Sequence, residues 1–196
     1  ANHIFDLTYG HSSNASSSAS TQNAKKLNIY NQMAQVLMGY NVSGNIRKFD
    51  SDGTLDDSSG TMNHCFFMNF SRLLTKDEIK KNSFRLKLYT SGTLSGSAGR
   101  AGLKTLGDYL SANQFRTSPA GDYGLIFTGS TAAAGEESQS VGLIFYQAGI
   151  VVLTSSIFLS EFGPLGTTLP VGKLTDVAEG TVVTAIASGS TIETMA

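Results

Sequence analysis

The sequence predicts a mainly β protein with a few short helices, an α+β chain whose core is an antiparallel sheet or sandwich. Two observations predict this fold and the role of its surface. Runs rich in β-branched and aromatic residues recur along the chain, and clusters of Gly, Ser and Asn separate them. Only 15% of the residues are charged, so uncharged polar side chains make up most of the surface. Such a surface protects poorly against association, which favours a subunit of a larger assembly.

With 196 residues, the chain is long enough for one substantial core and too short for two ordinary domains. We divide it into a flexible Ser-rich arm at residues 1–22, a β-rich core domain at 23–160, and a C-terminal extension or inter-subunit segment at 161–196. The arm includes the run HSSNASSSASTQ, which has too few apolar side chains to hold itself in place. We therefore expect the arm to be dispensable for folding. No secretion signal is visible at the start of the sequence.

Three helices are predicted. Apolar residues recur at a helical period between Asn23 and Met38, and Gly39 is a plausible terminator. Thr75 and Glu78 form a capping-box pattern, which predicts a short helix from Lys76 to Lys81. The third, at residues 103–110, is indicated by the helical spacing of three leucines: Leu103, Leu106 and Leu110.

Two strands in the first half of the chain show alternating side chains. Residues 64–70 (HCFFMNF) place Phe66, Met68 and Phe70 on one face. In the strand at 84–89 the apolar residues Phe84, Leu86 and Leu88 alternate with Arg85, Lys87 and Tyr89. We expect these two strands to share a buried face within one sheet. The Gly/Ser-rich stretch at 90–101 that follows is predicted to be a loop.

The second half contains strands that are apolar on both faces, as central strands of a covered sheet are. They are Tyr123–Thr128, Val141–Tyr146 and Ile150–Thr154, with Val182–Ala187 as a possible last strand. Residues 141–159 form an uncharged stretch whose length approaches that of a membrane span. Glu137 and Glu161 flank this stretch and Gln147-Ala148-Gly149 interrupts it, so we predict a buried hairpin instead of a membrane span.

Residue patterns that catalysis requires are missing from the sequence. His64 and Cys65 are adjacent on a predicted strand, so their side chains point to opposite faces and cannot form a nucleophile and base pair. The other two histidines, His3 and His11, lie in the predicted arm. No nucleophile elbow, phosphate-binding loop, dinucleotide fingerprint or H-E-x-x-H motif occurs. We expect no enzyme activity, no catalytic residue, no cofactor, no metal and, with Cys65 as the single cysteine, no internal disulfide.

Two charged segments leave alternatives open. The acidic run Asp50–Asp57 surrounds a Gly turn, so it either binds Ca²⁺, although its spacing departs from the EF-hand loop, or forms an exposed turn. The six cations between Arg72 and Lys87 either form a basic patch or lie on a solvated face, the interpretation that we prefer. With a formal net charge of -1, the chain has no basic excess, so we expect no nucleic-acid partner.

Three blocks of the sequence, in order, resemble a known family. They are Tyr9-Gly10-His11-Ser12, FFMNFSRLLTKDEIKKNSFRLKL at 66–88, and GLIFYQAGIVVLTSSIF at 142–158. Together they resemble a module of virion structural proteins of large tailed bacteriophages, including T4-like phages of marine cyanobacteria. The sequence departs from the module at Lys81-Asn82-Ser83, where related modules often have Pro and Gly before the strand.

The resemblance implies a structural component of a virion, from the tail, the baseplate or a fibre, assembled in the host cytoplasm. Its expected partners are other virion proteins and copies of itself, and we expect no membrane span. The alternative is a carbohydrate- or receptor-binding module on the particle surface, in which the Asp50–Asp57 loop would hold Ca²⁺. The absence of Trp from the sequence lowers the support for a sugar site.

Overall fold

The computed structural model of the protein describes six stretches of the chain: residues 4–13, 21–53, 60–71, 77–89, 103–129 and 140–158. Two predicted segments lie outside the described residues. They are the loop at 90–101 and the C-terminal extension at 161–196, including the possible strand Val182–Ala187.

Eight antiparallel strands form one curled sheet, which confirms the predicted fold class. The strands are β1 (Phe5–His11), β2 (His64–Phe70), β3 (Arg85–Tyr89), β4 (Leu103–Gly107), β5 (Arg116–Ser118), β6 (Gly121–Thr128), β7 (Ser140–Phe145) and β8 (Ile150–Thr154). Their order across the sheet is β1-β2-β8-β7-β6-β4-β3, and β5 pairs with β6 outside this path. The described residues also contain the helix α1 (Thr21–Leu37) and a 3₁₀ turn at Ser155–Phe158.

The sheet buries apolar side chains on both of its faces, because its central strands are apolar at successive positions. The inner cluster, on the face opposite α1, contains Phe66, Met68, Phe84, Leu88, Leu106, Ile126, Ile144, Tyr146, Val151, Leu153 and Ile157. The outer cluster contains Cys65, Phe67, Tyr123, Leu125, Phe127, Leu143, Phe145 and Val152 of the sheet, together with Tyr30, Ala34, Leu37, Met38, Phe49 and Met62. The sheet therefore has little face left for solvent.

The predicted helix at 23–38 is confirmed as α1. Tyr30, Ala34 and Leu37 recur at helical spacing and pack into the outer cluster, so one face of the helix is buried. The helix stops at the predicted terminator, since Gly39 has a φ of 74°, a left-handed conformation that glycine adopts easily.

The three apolar strands of the second half are confirmed as β6, β7 and β8. Strands β7 and β8 form the predicted hairpin, whose turn ends at Gly149 with a φ of 68°. Val151 and Val152 are buried on opposite faces of it. No helix among the described stretches combines the length and the apolar character needed to cross a membrane.

Strands β2 and β3 share a buried face, as predicted. Phe66 and Leu88 belong to the same inner cluster, and the rings of Phe70 and Phe84 lie 6.2 Å apart. The two strands are not neighbours, however, since β3 lies at the far end of the strand order. The curl of the sheet brings their side chains together.

The prediction of a flexible, unpacked arm is wrong for residues 5–13. Strand β1 pairs with β2 along its whole length, from Phe5 opposite Phe70 to His11 opposite His64. Helix α1 crosses it closely, because a Cβ on Gly10 would lie 2.9 Å from the backbone nitrogen of Tyr30. Pairing with the apolar strand β2 orders this part of the predicted arm.

The predicted helix around Leu103–Leu110 is wrong, because its first half is strand β4. Leu106 is fully buried in the inner cluster and pairs with Leu86 of β3. The helical spacing of the leucines was weakened by Gly107, which costs about 1 kcal/mol in a helix relative to Ala. Pairing with β3 overrides this weak helical preference.

The described part of the predicted helix at 76–81, residues 77–81, is not helical. The backbone nitrogen of Ile79 donates to the carbonyl of Tyr146 at 3.0 Å, so this segment is tied to the β7–β8 hairpin instead. A turn follows, in which Asn82 has a φ of 60°. Asparagine tolerates this conformation better than most residues.

Candidate functional site

The pairing of β1 with β2 brings together a tyrosine and two histidines. His11 lies directly opposite His64 in the register, and their ring centroids are 6.0 Å apart. The hydroxyl of Tyr9 and the Nδ1 of His64 share a hydrogen bond of 2.6 Å. The ammonium of Lys26, on α1, lies 5.8 Å from the centre of the Tyr9 ring. We call Tyr9, His11, Lys26 and His64 the histidine cluster.

The histidine cluster is held by further hydrogen bonds at the end of β1. The buried ring of His11 donates from Nδ1 to the carbonyl of Ser12 at 3.1 Å. The hydroxyl of Ser12 donates to Asn63 Oδ1 at 2.6 Å, and its backbone nitrogen to the Asn63 carbonyl at 2.7 Å. These contacts fix the position of β1 on β2. Sequence reasoning had placed His11 in the arm and so did not associate it with His64.

The histidine cluster keeps the His64 ring uncharged at neutral pH. Burial, together with the smaller effects of the nearby charges of His11 and Lys26, lowers the pKa of His64 to about 4. Cys65 lies on the opposite face of β2, as predicted, and its buried thiol donates to the carbonyl of Met62 at 3.5 Å. Burial raises the pKa of this thiol well above its ordinary value, so it stays protonated and unreactive.

Acidification is expected to weaken the fold through His64. Its pKa is about 4 in the folded protein and about 6.5 when unfolded, so the unfolded chain binds the proton more readily. The contribution of the neutral His64 to the free energy of unfolding is therefore fully present above pH 6.5. It is lost as the pH falls towards 4, by up to about 3 kcal/mol. Denaturant melts at pH 7 and pH 4.5 measure the loss.

The matched control for this acid loss is His64→Gln, because glutamine can still accept a hydrogen bond from Tyr9 but does not titrate. The free-energy difference between the wild type and this variant should shrink as the pH falls from 7 to 4.5. Parallel pH profiles for the two proteins would show that His64 is not the responsible group.

A buried carboxylate, that of Asp108, forms a second polar centre that the sequence did not reveal. Asp108 Oδ1 accepts from the backbone nitrogen of Phe84 and from Arg85 Nη1, both at 3.0 Å. Asp108 Oδ2 accepts from the backbone nitrogen of Asn82 at 2.8 Å, from the Ser111 hydroxyl at 2.8 Å and from the Tyr146 hydroxyl at 3.0 Å. This carboxylate ties the turn before β3 to Tyr146, in the turn of the β7–β8 hairpin. Its contacts are those of a structural centre.

The acidic run at 50–57 is described only as far as residue 53. The carboxylate of Asp50 is buried and its Oδ1 accepts from the backbone nitrogen of Asp52 at 3.1 Å, a turn arrangement. Asp56 and Asp57 lie outside the described residues. Within the described stretches, no group of three or more His, Cys, Asp or Glu side chains is placed to hold a metal ion.

The cations of the 72–87 segment are partly used in contacts within the chain. Lys81 donates to Asp122 at 2.7 Å and its ammonium lies 3.6 Å from the centre of the Phe115 ring. Arg85 pairs with Asp108 at 3.0 Å. Arg72 and Lys76 lie outside the described residues. Two of the described cations are thus paired with carboxylates of the same chain.

Comparisons with known proteins identify no relative of this chain. No protein-family model, no curated protein and no solved structure matches the chain.

Proposed function

We propose that the chain is a structural, non-catalytic component of a tailed-bacteriophage virion, which acts by binding copies of itself and other virion proteins. The observation that carries the assembly part of this proposal is the outer edge of β1. Among the described residues this strand ends the strand order of the sheet. Its first residue, Phe5, is 39% exposed, and Ile4 just before it is 55% exposed. An exposed apolar edge strand is a template for pairing with another chain.

The two edges of the sheet differ in their protection against such pairing. The other terminal strand, β3, carries the exposed cations Arg85 and Lys87, and charged side chains on an edge discourage association. In β1 the only charged residue is Asp6, and its seven residues pair with β2 without a bulge or a proline. The sheet therefore has one protected edge and one edge suited to a partner.

The virion part of the proposal is supported by the sequence resemblance. Its three blocks are far apart along the chain, yet they contain parts of β1, β2, β3 and β7 and the whole of β8. Four of these strands are consecutive in the order β1-β2-β8-β7, and β3 lies at the other end of the same sheet. The resembling residues thus belong to one sheet.

A carbohydrate- or receptor-binding module is the second candidate function. Tyr40, exposed by 52%, offers a ring face on which a sugar could stack. Among the described residues, the other exposed aromatic ring away from β1 is that of Phe115, and the ammonium of Lys81 lies close over it. A glycan array with the purified chain tests this candidate, and Tyr40→Ala should abolish any signal.

Self-association is expected to be sensitive to the β1 edge. Phe5→Lys places a cation at this edge, and it should lower the association constant about tenfold or more, which corresponds to about 1.4 kcal/mol. Val42→Lys is the matched control, since Val42 is fully exposed in a turn on a different part of the surface. Sedimentation velocity over a range of concentrations measures both variants.

The control variant also separates the two parts of the assembly proposal. A wild-type chain that stays monomeric at high concentration would contradict self-association. Dissociation by Val42→Lys, with Phe5→Lys unchanged, would move the contact away from β1.

A further inference from the structure

The arginine Arg47 has no counter-ion among the described residues. It follows Ile46, which forms an isolated β-bridge with Tyr40. Its side chain is half-buried, and its Nε is buried without a hydrogen-bond partner. The ion pairs of the described residues involve other cations. A buried donor without an acceptor costs free energy, so contacts within the fold do not account for an arginine at this position.

The segment that contains Arg47 packs on the β5–β6 hairpin. The backbone nitrogen of Arg47 donates to the carbonyl of Gly39 at 2.9 Å, and a Cβ on Gly39 would lie 2.9 Å from the proline ring in the hairpin turn. Two residues after Arg47, the ring of Phe49 lies 6.4 Å from that of Phe145. The Phe145 ring stacks on that of Tyr123 at 5.3 Å. Arg47 therefore lies over the part of the sheet that contains Tyr123.

A second guanidinium group, that of Arg116, lies on the same face of the sheet. Arg116 is directly opposite Tyr123 in the register of β5 and β6, so their side chains are neighbours. The backbone of Gly53 lies against this guanidinium, since a Cβ there would be 2.7 Å from Arg116 Cζ. Arg116 Nη2 donates to the carbonyl of Asp52 at 3.3 Å. These contacts hold the Arg116 side chain in place without neutralising its charge.

The hydroxyl of Tyr123 lies between these charges. The side chain is only 1% exposed, and burial raises its pKa. The positive charges of Arg116 and Arg47 partly oppose this rise, which indicates that both guanidinium groups are close to the hydroxyl. The carboxylate of Asp50 acts on it in the same direction as burial. Two guanidinium groups and one carboxylate leave an excess of positive charge around the hydroxyl.

We propose that Arg47, Arg116 and Tyr123 form a binding site for a carboxylate group. The planar fork of a guanidinium matches the two oxygens of a carboxylate, and the tyrosine hydroxyl supplies a further donor. Because the charge of Arg47 is delocalised over its guanidinium, an anion at the terminal nitrogens also offsets the cost of its unpaired Nε. One carboxylate neutralises the excess charge, whereas a phosphate dianion would be repelled by Asp50.

The carboxylate comes either from a small organic acid or from an acidic residue of a neighbouring chain. Both sources present the same group to the two arginines, so one probe, acetate, tests the site for both. The site is separate from the β1 edge and does not rest on the proposed function.

Saturation-transfer NMR with acetate tests the site, because this method detects weak binding to assemblies as well as to single chains. Acetate should bind, and acetamide, which has a similar shape and no charge, should not. Arg47→Met and Tyr123→Phe should each weaken acetate binding about tenfold or more. Lys48→Met is the matched control, since it removes the adjacent cation and should leave the affinity nearly unchanged.

Three outcomes of this titration would overturn the carboxylate site. The first is a wild-type chain that does not bind acetate. The second is an equal loss of affinity in Lys48→Met and Arg47→Met, which would mean that acetate responds only to the net charge. The third is tighter binding of inorganic phosphate than of acetate, which would assign the site to a different anion.

Thermal melts separate a binding role of Arg47 from a structural one. Without acetate, Arg47→Met should melt at or above the wild-type temperature, because it removes an unpaired buried donor and the repulsion between two cations. With acetate, the midpoint should rise in the wild type and stay constant in the variant. A large fall of the midpoint in Arg47→Met without acetate would show that Arg47 holds the fold together, and it would overturn the proposal.

Sedimentation velocity identifies the source of the carboxylate. If an acidic residue of a neighbouring copy occupies the site, both added acetate and the Arg47→Met substitution should lower the association constant. If the ligand is a free organic acid, association should be the same in all these samples. A chain that binds acetate and remains monomeric would support the carboxylate site and contradict the proposed self-association, so the two proposals can fail independently.

Discussion

Deleting residues 1–11 is expected to remove most of the stability of the protein. The deletion takes away β1, exposes the edge of β2 and removes Leu7 and Tyr9 from the margin of the inner cluster. It also removes the surface against which α1 packs at Gly10. Lost ladder hydrogen bonds and apolar burial together amount to roughly 5 kcal/mol, comparable with the whole stability of a small domain. Thermal and denaturant melts of the truncated chain measure this loss.

The matched control removes only residues 1–4 and leaves β1 in place. This shorter deletion should lower the thermal midpoint far less, because Ile4, the last residue removed, is exposed and accepts one backbone hydrogen bond, from Ser71. If the deletion of 1–11 melts at the wild-type temperature, β1 contributes nothing to the core and the flexible-arm interpretation of the sequence holds after all.

Replacing Asp108 is expected to have the next largest effect. Asp108→Asn replaces one accepting oxygen of the carboxylate by an NH₂ group, which then faces hydrogen-bond donors. It also leaves the guanidinium of Arg85 without its counter-ion. Removing the charge of a buried carboxylate that accepts this many hydrogen bonds costs about 3–5 kcal/mol. Denaturant melts of the variant check this, provided that unfolding is reversible.

Asp122→Asn is the matched control for this charge removal. Asp122 pairs with Lys81 at 2.7 Å, and Asp108 pairs with Arg85 at 3.0 Å. The side chain of Asp122 is 28% exposed, whereas that of Asp108 is fully buried. Solvent screens the exposed pair, so its loss should be much smaller. Equal losses in the two variants would mean that the buried hydrogen bonds of Asp108 contribute little.

The sequence predicted the elements whose pattern is strong over several residues. Strands β6, β7 and β8 are apolar at successive positions, and α1 repeats its apolar residues at a helical period. The hairpin turn at Gly149 was visible because glycine marks a positive φ. These elements are specified locally, so an isolated sequence contains the information needed to predict them.

The errors lie where pairing decides the local structure. Strand β1 is next to a Ser-rich run and has few apolar residues, but β2 offers it a complete ladder. At β4, the leucines that suggested a helix are held in a strand by β3. In both cases a partner strand that is distant in sequence determines the conformation. The periodicity of the segment itself gives no information about that partner.

The polar centres could not be predicted for the same reason. Tyr9 and His64 are 55 residues apart in sequence, and Tyr146 and Asp108 are 38 apart. Only the register of the sheet brings these groups within hydrogen-bonding distance. Once that register is known, His11 and His64 are recognisable as neighbours.

Cryo-microscopy of the intact virion is the most direct test of the central claim, that this chain is an assembled structural component. The account predicts several copies in a symmetric arrangement, with β1 edges in contact between neighbouring subunits. A particle map and a protein inventory without this chain would contradict the account.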